Sequence, residues 1–229
     1  MSEDKYIRCK NITKTYHGRT GPKEALKDVS FEINRGENIG ILGHNGAGKS
    51  TLIRILSGSE KQSSGSIDRK MSLSWPLAFH GGFHSSLTGV DNVKFLSRVY
   101  QVDFKETLEF VRDFSELGKD LREPFKAYSS GMMAKLAFSL TLAIDFDCLL
   151  VDEVLSVGDA KFQQKCHDYI GDKLQDRSLI LVSHHPDVIR NYCDKACILH
   201  QGHMFETEDI DRAYHDYDGL VNEYFKKQN

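Results

Sequence analysis

Gly43-His44-Asn45-Gly46-Ala47-Gly48-Lys49-Ser50-Thr51 decides how this chain is read. A short apolar run, Asn38 to Leu42, precedes it, and Leu52-Ile53-Arg54-Ile55-Leu56 follows. Buried strand, glycine loop and amphipathic helix, in that order, is the context that G-x-x-x-x-G-K-[ST] needs to be a phosphate-binding loop. Gly43, Gly46 and Gly48 let the backbone close into a nest whose N–H groups face one anion. A helix opening near Lys49 adds the positive end of its dipole. Lys49 is then a point charge for β- and γ-phosphates, and Ser50 offers a hydroxyl to Mg²⁺.

The rest of the composition fits an α/β protein with one good core. The chain has 229 residues, 40% hydrophobic and 28% charged, enough for a core and a small appended lobe. Its net charge of -3 provides no basic field for a nucleic-acid backbone. The apolar run Leu136 to Ile144 is broken by Ser139 and Thr141 and is too short to span a bilayer. Met1-Ser2-Glu3-Asp4-Lys5 lacks the charged-then-apolar pattern of a signal peptide. The cysteines, Cys9, Cys148, Cys166, Cys193 and Cys197, contain no C-x-x-C pair and read as free thiols in a reducing compartment.

Periodicity predicts strands over residues 6–15 and 26–33, joined by the turn-rich His17 to Pro22. A helix from Lys49 ends at Ser57-Gly58, Gln62 to Ser66 reads as a turn, and Met71 to Trp75 as a returning strand. From Thr88 the pattern turns helical. One helix runs from a Thr88 cap to about Tyr100, a second from Phe104 to Leu117 with Gly118 stopping it, and a third from Ser129-Ser130-Gly131 to about Ile144. With no strand between them, these form a helical lobe inserted into the α/β body. Cys148–Val151, a helix over Asp159–Leu174 and the strand Leu179–Ser183 restore strand–helix–strand alternation, hence a mostly parallel sheet. A short helix over Pro186–Cys193, a hairpin turning at Gln201-Gly202 and a docked helix within Asp209–Lys227 complete the chain.

Leu149-Leu150-Val151-Asp152-Glu153 sets two carboxylates at the C-terminal end of a buried strand, the edge where ligands bind in open α/β sheets. Asp152 is placed to hold Mg²⁺, and Glu153 to polarise an attacking water.

Between the phosphate loop and that strand lies Tyr128-Ser129-Ser130-Gly131-Met132, which resembles the signature motif L-S-G-G-Q of ATP-binding cassette (ABC) ATPases. The resemblance implies that Ser129, Ser130, Gly131 and Met132 meet the ATP held by a second copy of the chain, in a head-to-tail dimer around two nucleotides. It further implies that His44, Asn45, Ala47 and Thr51 bind nucleotide with the loop glycines and Lys49. Ser156-Val157-Gly158-Asp159 resembles the D-loop of the dimer seam, His184 the switch histidine beside the γ-phosphate, and Tyr16 the aromatic that stacks on adenine. The sequence departs from the family where a glutamine is usual. Trp75 to His84 contains none, and Phe79 or His80 falls nearest that place. Met132 also replaces the signature glutamine.

Ser74-Trp75-Pro76-Leu77, Gly81-Gly82-Phe83, Ser86-Leu87-Thr88-Gly89 and Asn92-Val93-Lys94-Phe95 are similar to a narrower group, the ATPase subunits of bacterial capsular polysaccharide exporters. Related ATPases export O-antigen or teichoic acid. O-antigen exporters often carry an extra C-terminal carbohydrate-binding domain, for which no room is expected after Gln201. The resemblance implies one ABC ATPase domain of the α/β P-loop class, with a core over about 1–87 and 147–206 that includes an N-terminal antiparallel β subdomain, a helical lobe over about 88–146 and a docking helix over about 207–229. It implies ATP and Mg²⁺ as cofactors and an integral membrane permease as partner at the cytoplasmic face of the inner membrane. Periplasmic and outer-membrane export components join indirectly, and nucleic acid is not expected. A soluble ABC ATPase acting on DNA or ribosomes, and a small-molecule P-loop kinase, are the competing classes.

Overall fold

The computed structural model describes residues 5–19, 21–76, 82–152, 158–173, 177–207 and 209–211, with single residues at 213, 215, 217 and 219. In chain order the elements are β1 (Tyr6–Gly18), β2 (Gly21–Asn34), β3 (Asn38–Leu42), α1 (Lys49–Leu56), β4 (Ser64–Arg69), α2 (Gly89–Val99), α3 (Phe104–Ser115), α4 (Ser130–Ala143), β5 (Cys148–Asp152), α5 (Ala160–Lys173), β6 (Ser178–Ser183), α6 (Pro186–Tyr192), β7 (Lys195–His200) and β8 (His203–Thr207). They fall into two compact units. One comprises Met1–Ser74, Asp147–Glu153 and Lys173–Asn229; the other comprises Trp75–Phe146 and Val154–Asp172. The second unit thus takes in α5 and the segment from Trp75, beyond the 88–146 expected for the lobe.

The first unit is built on two sheets. β3, β5, β6 and β7 run parallel in the order β5-β6-β3-β7, and β8 closes the edge antiparallel to β7. Each parallel strand is a near-continuous apolar run because the sheet is covered on both faces, and Ile39, Ile41, Leu150, Ile180 and Val182 are all buried. The second sheet is antiparallel, in the order β2-β1-β4. Its inward residues, Ile7, Cys9, Ile12, Val29, Phe31 and Ile33, meet α1 residues Leu52, Ile55 and Leu56 in one core.

Two sequence expectations change here. The expected turn around Gln62–Ser66 gives way at Ser64 to β4, which pairs with β1 through Cys9↔Ile67 and Ile7↔Arg69. β4 carries one apolar residue, Ile67, so it has no alternation to betray it. The expected strand over Met71–Trp75 makes only a single parallel bridge, Leu73↔Cys148. The bridge keeps its two backbone bonds, Cys148 N to Ser72 O and Ser74 N to Cys148 O, both at 3.0 Å, and serine hydroxyls extend it: Asp147 N donates to Ser72 Oγ at 2.8 Å and Leu150 N to Ser74 Oγ at 2.9 Å.

The second unit is helical. Phe114 of α3 lies against Phe110, Phe138 of α4, and Phe162 and Tyr169 of α5, with ring centroids 5.3 to 6.3 Å away. α4 is buried without a break from Leu136 to Leu142. Its Ser139 and Thr141 are accommodated by donating to the carbonyls one turn back, Lys135 O at 2.6 Å and Ala137 O at 2.8 Å. α3 ends at Glu116, in the left-handed region at φ 57, before the glycine expected to stop it. The cause is tertiary. Lys165 of α5 donates to Asp113 O at 2.9 Å and Phe114 O at 3.0 Å, capping the last carbonyls, and pairs with the Glu116 carboxylate at 3.2 Å.

Asn92 of α2 is fully buried and holds the preceding loop. Its Oδ1 accepts from His84 N at 2.8 Å, and its Nδ2 donates to the carbonyls of Thr88, His84 and Leu87 at 3.0 to 3.3 Å. Asn92→Ala orphans these groups and is expected to cost about 2–4 kcal/mol in urea unfolding. A loss below about 0.5 kcal/mol, the size of an ordinary surface change, would refute this role.

Candidate nucleotide site

The strand ends of the parallel sheet bring the sequence-predicted groups of the first unit to one edge. Residues 43–48 continue β3, Asp152 ends β5, and His184 follows β6, the strand between them. The register pairs Asp152 with Val182 and Leu42 with Ser183, so the three groups leave the sheet at nearly the same level. Glu153 lies outside the described residues, as do Phe79 and His80 of the segment without glutamine, and Ser156 and Val157 of the expected D-loop.

Within the phosphate loop, two glycines are fixed by close packing. A Cβ on Gly43 would sit 2.6 Å from Leu199 O, and one on Gly48 would sit 2.5 Å from Ala25 O, with Gly48 also at φ 115. Gly48 is the N-cap of α1 and offers no side-chain oxygen to the first-turn amides, which keeps them for an anion. Lys49 is buried and folds back over the loop, donating from Nζ to Gly43 O at 2.6 Å and His44 O at 3.2 Å. Asn45, Gly46 and Ser50 are exposed, while Ala47 is buried against the core.

Support for this loop comes from a turn that local reading assigned no function. At the β7–β8 turn Gly202 N donates to Ala47 O at 3.1 Å, and Lys27 N of β2 donates to Gly202 O at 2.8 Å. The His44 and His200 rings meet edge to face at 5.3 Å. A hairpin signal at Gln201-Gly202 was legible, but its contact with a loop about 155 positions away had no local trace.

Tyr16, near the end of β1, holds its hydroxyl against α1. It donates to Glu60 Oε2 at 2.9 Å, accepts from Arg54 Nη2 at 2.9 Å, and lies 3.3 Å from Thr51 Oγ1. Thr51, expected at the nucleotide, thus directs its hydroxyl to this cluster. Arg54, then Lys14, hold the Glu60 carboxyl down to about 2, well below the carboxylate range. A depressed folded-state value stabilises the fold above the unfolded carboxylate's pKa, about 4.3, and that contribution fades as pH falls towards 2. The stability difference between wild type and Glu60→Gln is therefore expected to shrink as pH drops from about 5. Urea midpoints across that range check it; a constant difference would contradict it.

The second unit presents the signature residues separately. Ser129 is the N-cap of α4 and accepts from Met132 N at 3.3 Å; Ser130 opens the helix and is exposed, and Met132 is half-buried. Among the described residues, a Cβ on Gly131 would meet nothing within 4 Å. Beneath the turn, Tyr128 is buried and donates to Asp120 O at 2.7 Å, and burial pushes its phenol up to about 12. Asp159 caps α5, its Oδ1 accepting from Phe162 N at 3.0 Å. Its Oδ2 accepts from Lys135 of the signature helix at 2.7 Å, and this lysine holds the carboxyl down to about 2.

A divalent cation fits the oxygen donors available at the first unit's edge, the Ser50 hydroxyl and the Asp152 carboxylate. All five cysteines are buried free thiols, and burial raises the thiol of each, Cys9 and Cys166 to about 12.

The family described as "ABC transporter" matches residues 26–156. The chain is 54% identical to ATP-binding protein BexA of Haemophilus influenzae, over 92% of this chain and 97% of that protein. It is 52% identical to the capsule polysaccharide export ATP-binding protein CtrD of Neisseria meningitidis serogroup B, over 93% and 99% respectively. Among solved structures, the dimeric post-hydrolysis state of the ATP-binding cassette MJ0796, bound to ADP and Pi, superposes with a TM-score of 0.73 at 21% identity. That match covers 87% of this chain and 98% of the other, and it establishes likeness of fold. With a match to this family over residues 26–156, and to relatives such as BexA and CtrD over more than nine-tenths of its length, the chain belongs to the ABC transporter family.

Proposed function

We propose that this chain is the ATP-hydrolysing subunit that powers export of a capsular polysaccharide through a separate membrane permease. The observation that carries the chemistry is the shared edge of three adjacent parallel strands, where the phosphate loop, Asp152 and His184 come together. The close relation to a capsule polysaccharide export ATP-binding protein over nearly the whole chain supports the substrate class.

In this reading the loop amides of residues 43–48 and the N-terminus of α1 hold the β- and γ-phosphates, with Lys49 neutralising their charge. Ser50 and Asp152 would hold Mg²⁺, which would supply positive charge against the phosphate oxygens. Glu153 accepts the proton of the attacking water, and His184 orients that water against the γ-phosphate. Tyr16 stacks on adenine. Ser130 and Gly131 of a second copy complete the site, their helix N-terminus aimed at the γ-phosphate. The spare space at Gly131 supports this. Glycine is a weaker helix former than alanine, and no neighbour among the described residues requires it here. Close backbone approach by a ligand from outside gives that choice a purpose.

ATP binding then closes two chains head to tail, hydrolysis reopens them, and the motion is delivered to the permease. Among the described residues no helix is long and apolar enough to cross a membrane, in keeping with a peripheral subunit that relies on a partner for the pore. The working place is the cytoplasmic face of the inner membrane. Detergent-solubilised membranes are expected to yield this chain bound to an integral membrane permease, and deleting it should leave finished polysaccharide inside the cell. Stable association with ribosomes or DNA, with export unaffected by deletion, would overturn the reading.

A further inference from the structure

The cluster around Tyr16 is more elaborate than a strand end requires. Four side chains from three segments converge on one phenol: Lys14 of β1, Thr51 and Arg54 of α1, and Glu60 beyond it. Glu60 is the hub. Its Oε2 accepts from both Tyr16 and Arg54 Nε at 2.9 Å, and its Oε1 takes the Lys14 ammonium at 2.9 Å. Lys14 also donates to Lys61 O at 2.7 Å, and Arg54 Nη2 reaches Thr51 Oγ1 at 3.3 Å. The Lys14 ammonium lies 5.2 Å from the Tyr16 ring centroid, so one face of the ring is covered by a cation. The hydroxyl is thereby fixed and one face is occupied.

We propose that Glu60, with Arg54 and Lys14, positions Tyr16 for adenine: the cluster holds the ring by its hydroxyl and ties the base platform to α1, the helix that follows the phosphate loop. This rests on the reading of Tyr16 as the adenine-stacking residue. A tyrosine side chain has two freely rotating torsions, and a ring that must be ordered at binding forfeits part of its stacking energy. Here the ordering is done in advance. Glu60 does not touch the base; it acts through the phenol. Its neutralisation leaves the Lys14 ammonium and the Arg54 guanidinium without the carboxylate they share.

Calorimetric titration with Mg-ATP and with Mg-tripolyphosphate, which lacks a base, separates base-side from phosphate-side effects. Tyr16→Ala is expected to weaken ATP about 10–100-fold, the range of one lost base–aromatic stack, and to leave tripolyphosphate unchanged. Tyr16→Phe, which keeps the ring and removes only the hydroxyl, and Glu60→Gln are each expected to weaken ATP about 3–10-fold, again with tripolyphosphate unchanged. If Tyr16→Ala weakens ATP while Tyr16→Phe and Glu60→Gln bind as wild type does, stacking stands and the positioning role is overturned. If Glu60→Gln weakens both ligands equally, the cluster serves the fold of α1 and the positioning role is again overturned. If Tyr16→Ala binds ATP as wild type does, the adenine reading of Tyr16 fails, and this inference with it.

Discussion

Glu153→Gln is expected to bind Mg-ATP normally, to form a stable nucleotide-loaded dimer, and to lose about 10²–10⁴-fold in turnover. Glutamine matches glutamate in size and keeps an acceptor oxygen, so the phosphate loop and Lys49 hold ATP as before. It cannot take a proton from water, and the step that needs a base stops. Removing one carboxylate charge also relieves repulsion against the triphosphate, which favours the closed pair. Steady-state phosphate release measures the first effect, and gel filtration with and without Mg-ATP the second. Hydrolysis within about tenfold of wild type would remove Glu153 from the role of base, since a positioned base contributes at least about 10². A strictly monomeric ATP-loaded variant would sink the paired arrangement of loop and signature helix.

Lys49→Ala is expected to fail at the earlier step, with ATP affinity reduced at least about 100-fold and turnover undetectable. Lys49 is 8% exposed as a residue and its ammonium is held by Gly43 O and His44 O, so its charge acts from a partly desolvated position, where it is stronger than in water. The same substitution removes the donor of two loop carbonyls, so the melting temperature must be measured in parallel. A variant that melts as wild type does yet binds no ATP locates the loss in phosphate binding. Equal affinity for ATP in Lys49→Ala and wild type would contradict the loop's assignment. The pair of variants is diagnostic together: one keeps the ligand and loses the reaction, the other loses the ligand.

Glu60→Gln and Asn92→Ala test a different layer, the long-range polar contacts that hold these groups in place. Neither position stood out chemically in the sequence. Glu60 is one acidic residue in a polar stretch, and Asn92 one amide in a helix, until folding places Tyr16 44 positions away beside the first and the loop from His84 beside the second.

The sequence alone determined the parts whose chemistry is contiguous. A nest of amides needs its glycines, lysine and serine within nine residues, and a buried parallel strand needs an unbroken apolar run, so Gly43–Thr51 and Leu149–Asp152 were legible at once. Helix starts were equally local: Thr88 caps the helix it was expected to cap, and Ser129 opens α4 in the same way, because a cap bonds to amides three residues on. What tertiary structure decided lies where a backbone group finds a distant partner. β4 is a strand because β1 offers an edge, and α3 ends at Glu116 because Lys165 reaches its last carbonyls. The phosphate loop rests on Gly202, and Tyr16 is held by Glu60, for the same reason. Hydrogen bonds across such separations leave no period in a sequence; only the folded chain brings donor and acceptor within 3 Å or so.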